Sequence, residues 1–88
     1  MSTFDAALVE EQGITFAIVV VNSSVFSGNS KKKLEIRNYF SDFFGKEIPI
    51  ILMSQDQKGI PTYEGRSDIV NFLSKIDFER IPFERYNI

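Results

Sequence analysis

The run Ile14-Thr15-Phe16-Ala17-Ile18-Val19-Val20-Val21 limits this chain more than any other feature of it. Its β-branched residues favour an extended backbone, and its closing four aliphatics do not alternate with polar residues. Together these traits indicate a strand buried on both faces. Such a strand needs one layer above it and another below. At eight residues the run is too short to cross a bilayer, so it belongs to a protein interior.

Two layers can be found in the flanking sequence. Residues 2 to 12 read as a short amphipathic helix: Ser2 or Thr3 caps it, Asp5 sits in the first turn, and Phe4, Ala7 and Leu8 share one side, with Gly13 as terminator. From Lys31 to Phe44 the period is again helical, with Ile36, Phe40, Phe43 and Phe44 on one stripe that Tyr39 widens, and Gly45 at the end. Ile50 to Ser54 forms a second apolar strand, and a strand, helix, strand order predicts parallel pairing with the first. Ile60-Pro61-Thr62-Tyr63-Glu64 returns as an antiparallel edge, where proline is tolerated.

Ser67 is the expected N-cap of a third helix whose buried stripe is Ile69, Val70, Phe72, Leu73 and Ile76. Asp77 to Ile88 carries two aromatic and charged echoes around Pro82 and reads as extended: a last strand over Phe83 to Asn87, or an arm on another surface. The expected fold class is α/β. A small mixed β-sheet packs against three helices in the order helix-strand-helix-strand-strand-helix, with a C-terminal strand. Residues 1–88 form a single domain, since no Gly/Ser/Pro-rich linker divides them.

Cysteine and histidine are both absent. That excludes disulfides, thiol redox chemistry, thiolate or imidazole metal ligation, and every nucleophile activated by imidazole. Glu10 and Glu11 are adjacent on an expected solvent face and the other acids stand apart, so no pair offers the convergence that acid-base catalysis requires; no enzyme and no cofactor are expected. A net charge of -2 argues against broad nucleic-acid binding. The acidic, weakly apolar start carries no export signal, so neither export nor membrane association is expected, and the lack of cysteine suits a cytoplasmic location.

Two features compete to carry function. At the end of the buried strand, Ser27, Ser30, Lys31, Lys32 and Lys33 lead into a helix, where free amides and hydroxyls could hold a phosphate or carboxylate. Lysines in a first turn oppose the helix dipole at about 0.3–1 kcal/mol each, which an anion would relieve. A solvated charge run behind an ordinary cap at Asn29 or Ser30 is the plainer account. Arg66, beside Gly65, could likewise present its fork to an anion, but pairing with a neighbouring acid is the stronger reading. Nine phenylalanines exceed what a core this small needs. The favoured expectation is therefore a non-catalytic interaction module that meets a protein partner or a second copy of itself through Phe44, Phe83 and Tyr86.

The stretch from Glu47 to Ile76 has Ile48-Pro49 before an apolar strand, a glycine-bearing turn, a short strand ending in Gly65 and an amphipathic helix. In this it resembles the C-terminal half of thioredoxin- and glutaredoxin-like domains, which place a cis-proline where Pro49 stands. The resemblance covers about one third of the chain and rests on pattern alone. The family's Cys-x-x-Cys motif has no counterpart, and one strand and its helix are missing. The resemblance thus implies a relative used for binding, with no redox activity.

Overall fold

The computed structural model describes residues 3–11, 13–26 and 28–87. In chain order these form β1 (Thr3–Glu11), β2 (Ile14–Val20), α1 (Ser23–Phe26), α2 (Ser30–Phe44), β3 (Ile50–Gln55), β4 (Pro61–Glu64), α3 (Ser67–Leu73), a 3-10 turn (Phe78–Arg80) and β5 (Glu84–Asn87). The strands make one mixed sheet in the order β4-β3-β2-β1-β5. β2 and β3 run parallel, from Ala17 opposite Ile50 to Val20 opposite Met53, and every other pair is antiparallel.

The two most apolar runs occupy the inner positions of this sheet, and their side chains divide between its faces with period two. Ala17, Val19, Ile50 and Leu52 meet Phe40 of α2 on one face; Phe16, Ile18, Ile51 and Met53 meet Ile69 and Leu73 of α3, with Ile81, on the other. Both faces are covered, as a continuously apolar strand requires. The Pro49 carbonyl accepts the Ala17 N–H at 3.0 Å and so starts the parallel ladder. No cis peptide bond occurs among the described residues.

The α/β class with a small mixed sheet and three helices holds, but the first helix is not where the sequence suggests it. Residues 3–11 are a strand. Phe4, Ala7 and Leu8 lie at helical spacing, yet Phe4, Ala6 and Leu8 also alternate with Asp5, Ala7 and Val9, and pairing with β2 selects that second pattern. Glu11 stands opposite Ile14. Gly13 has φ 79°, a conformation that suits a tight hairpin as well as a helix end. The proposed cap Ser2 lies outside the described residues. The helix not foreseen is α1, one turn in which the Asn22 side chain accepts the Ser24 N–H at 3.0 Å.

Two smaller differences concern α3. Its N-cap is Arg66, without a side-chain cap bond, and Ser67 is already helical. The helix ends at Leu73, so Ile76 reaches the core from the loop beyond it. The C-terminal segment is a strand: β5 pairs with the first half of β1, Thr3 opposite Asn87 through Ala6 opposite Glu84. Arg85 Nε donates to Asp5 Oδ1 at 3.0 Å across this pair, an exposed bridge that solvent screens.

Tyr63 of β4 is half-buried beside the α3 core, and its hydroxyl oxygen is enclosed without a hydrogen-bond partner. Desolvation by burial pushes its phenol above the ordinary value of 10.0. Removing an unsatisfied hydroxyl eliminates its desolvation cost, so Tyr63→Phe is expected to raise stability by about 1 kcal/mol in urea unfolding. The pH dependence has a definite sign. Above pH 10 the unfolded chain loses this proton before the folded one does, so the wild type weakens with rising pH until the folded phenol also ionises. The Phe variant should lack that component of the decline.

Candidate functional site

Helix α2 divides the surface of its face of the sheet into two flanks. Fifteen residues without a glycine or proline run from Ser30 to Phe44, closed by Gly45, whose N–H donates to the Ser41 carbonyl at 2.8 Å. Phe40 points into the sheet, and its neighbours on either side of the helix meet different surroundings.

Toward β1 and β5 the surroundings are aromatic. Phe4 of β1 is the centre of a cluster: its ring lies 4.9 Å from Phe40, 5.4 Å from Phe43 and 6.2 Å from Phe44, and it stacks on Tyr86 of β5 at 5.5 Å and 15°. Phe44 meets Tyr86 edge-on at 5.5 Å. Geometries of this kind are worth about 0.5–1.5 kcal/mol per pair beyond area burial. The cluster binds the C-terminal strand to the N-terminal one through side chains as well as backbone.

Of the rings expected at a contact surface, Phe44 and Tyr86 are thus half-buried inside this cluster, and Phe83 is half-buried against the α3 core. The large apolar groups left at the surface on this side are different: Tyr39 at 54% exposed, Phe43 at 41% and Leu8 at 46%. Tyr39 and Phe43 are four apart, one step around the helix from the buried stripe, and that spacing is the sequence signal that marks them. Leu8 follows Phe4 and Ala6 on the same face of β1, beyond the cover of α2. Next to this strip β5 ends the sheet, and no described strand pairs with its outer edge.

The other candidate from sequence lies at the start of α2. Asn29 caps α2 by accepting the Lys32 N–H at 2.9 Å, which occupies an amide an anion would need. Ser30, Lys31 and Lys32 are exposed, and Lys33 Nζ lies 5.9 Å from the Phe26 ring centre, within cation–π reach. Ser27 lies outside the described residues. No acid occupies the first turn, so the lysines do oppose the dipole as expected.

Toward β4, α2 forms one wall of a groove of about 350 Å³. Leu34, Arg37, Asn38 and Ser41 face Ile48, Pro49 and Ile50 and the Gly65-Arg66 junction. Arg37 Nη1 is 3.7 Å from Glu64 Oε1, too long for a hydrogen bond. Arg66 donates from Nε and Nη2 to the two oxygens of Asp68 at 2.8 and 2.9 Å, the neighbouring-acid pairing foreseen for it. The hydrogen bonds from Arg66 hold the Asp68 carboxyl below its usual range.

Among the described residues no group of three acidic side chains is placed to hold a metal ion, and no helix is long and apolar enough to cross a membrane. Comparison of the chain with protein-family models, with curated proteins and with solved structures gave no match.

Proposed function

We propose that this chain is a non-catalytic protein-interaction module that associates with a second copy through the outer edge of β5 and the adjoining flank of α2. The observation that carries this reading is the position of the uncovered apolar surface. Tyr39, Phe43 and Leu8 lie on the same side of the sheet as α2, and Phe43 reaches the β1–β5 end of it. An open strand edge is complementary to itself, because two antiparallel copies satisfy each other's outward N–H and C=O groups. A two-fold axis perpendicular to the sheet would keep corresponding faces on one side. Two α2 helices would then stand beside each other across a ten-stranded sheet, Tyr39 and Phe43 of one against those of the other.

Burial of those rings at about 25 cal/mol per Å² would provide the driving force, and Phe44 and Tyr86 would act from behind by holding the strip in place. Neither nucleic acid nor membrane belongs to this proposal, and the cytoplasm is the compartment we assign.

Sedimentation velocity over about 10 μM to 1 mM protein tests it, since that range brackets weak to moderate self-association. The mass should rise toward a dimer in the wild type and stay monomeric in Tyr39→Asp, whose ring is exposed and whose melting curve should be preserved. A wild type that remains monomeric throughout would overturn the proposal.

A further inference from the structure

We propose that the groove between α2 and the β4–α3 junction binds a small organic anion: a carboxylate or phosphate monoester carried on an apolar body. Three side chains on its α2 wall, Arg37, Asn38 and Ser41, converge there without a hydrogen bond to any described group. For Arg37 this matters most. Its side chain is 26% exposed, and its ion pair with Glu64, at 3.7 Å, is too long to be a hydrogen bond. A guanidinium has five N–H donors in a planar fork, and the Glu64 pair leaves that fork without a hydrogen-bond acceptor. An oxyanion in the groove would accept from that fork and from Asn38 Nδ2 and Ser41 Oγ.

From the opposite wall comes Arg66, which turns Nε and Nη2 to Asp68 and leaves Nη1 unused in that pair. The two arginines are far apart in sequence and are brought to one groove only because α2 returns over β3. The remaining lining sets the rest of the ligand. Leu34 is exposed at the rim, and Ile48, Pro49 and Ile50 give apolar contact, so a bare inorganic anion would use only half of the site. A volume of about 350 Å³ is at the lower end of ligand pockets and suits a molecule the size of a substituted ring or short chain.

The test is a two-dimensional amide NMR titration of the full chain with phenyl phosphate, benzoate, inorganic phosphate and acetate. Saturable shifts are expected at Arg37, Asn38, Ser41, Gly65 and Arg66 with phenyl phosphate or benzoate; the tighter of the two identifies the headgroup. The anions without a ring should bind about tenfold more weakly or less. Arg37→Gln should weaken the ring-bearing ligand by about tenfold or more. Arg37→Lys, which keeps the charge but loses the fork, should fall between the two and guards against a variant that merely misfolds. No saturable shift with any of the four, or shifts that survive in a folded Arg37→Gln protein, would overturn the proposal. Tyr39→Asp, on the opposite flank, should leave the titration unchanged, so this result and the dimer result can fail separately.

Discussion

Replacing Phe16 with alanine is expected to destabilise the protein by about 3–5 kcal/mol, the usual range for deleting a fully buried ring. Phe16 lies on β2 at 2% exposure, among Ile18, Ile51, Met53, Ile69, Leu73 and Ile81. Strands on both sides of β2 prevent it from moving inward to fill the space, so most of the cavity should remain. A chain of 88 residues has a total stability of roughly 4–13 kcal/mol, so the loss is a large part of the whole. At about 4–8 °C per kcal/mol, the melting temperature should fall by about 12–40 °C. Urea unfolding followed by circular dichroism should show a lower midpoint at a similar slope. A loss below about 1 kcal/mol would mean that the ring is not part of a close-packed core.

Gly65→Ala is expected to cost about 2–4 kcal/mol, from two causes that act together. Gly65 has φ 155°, where L-residues are strained, and a Cβ added there would meet Ile51 Cδ1 at 2.6 Å, the Ile50 carbonyl oxygen at 3.0 Å and Ile51 Cα at 3.4 Å. The methyl can rotate aside, but the carbonyl and Cα belong to β3 and cannot retreat without disturbing the parallel ladder with β2. Gly13→Ala provides the contrast. Its φ is also positive, at 79°, but nothing lies within 4 Å of the added carbon, so only the backbone cost of about 1 kcal/mol applies. Equal losses in the two variants, measured by the same urea unfolding, would show that the close approach of Gly65 to β3 carries no weight.

The inner strands were legible because their burial leaves a local mark. Ile14–Val20 and Ile50–Gln55 are apolar without alternation, and only a position between two layers tolerates that pattern. The amphipathic period of α2 was legible for a similar reason, as was a cap at Asn29 or Ser30, of which the structure uses Asn29; both features depend on neighbours three or four residues away. β1 was not. Ala6, Ala7, Leu8, Glu10 and Glu11 are good helix formers, and the glycine that follows them serves either structure. What decides β1 is the pairing of its Ala6 to Glu11 half with β2 and of its Thr3 to Ala6 half with β5. The second partner is some eighty residues away, and no local pattern encodes it.

The same long-range pairing accounts for the contact residues. An excess of aromatics over core demand was apparent in the composition, and it did place rings at the surface. Which rings stayed there depended on β5 docking beside β1, which drew Tyr86 onto Phe4 and against Phe44 and left Tyr39, and one side of Phe43, exposed. Arg66 was singled out in the sequence for its junction, and its pairing with Asp68 two residues on was within local reach. The convergence of Arg37 on the same groove was beyond it.

Sequence alone therefore settled what this protein lacks, namely thiol and imidazole chemistry, and it identified the strands that must lie inside. Those conclusions follow from side-chain chemistry and from periods of two and 3.6 residues, both of which are local. The tertiary structure decided the conformation of residues 3–11, the closure of the sheet by β5, and the assignment of one flank of α2 to exposed rings and the other to arginine, amide and hydroxyl groups. The physical reason is that a strand edge or a half-covered helix acquires its surroundings only from partners distant in the chain, whose backbone hydrogen bonds and buried area outweigh the preferences of the segment itself.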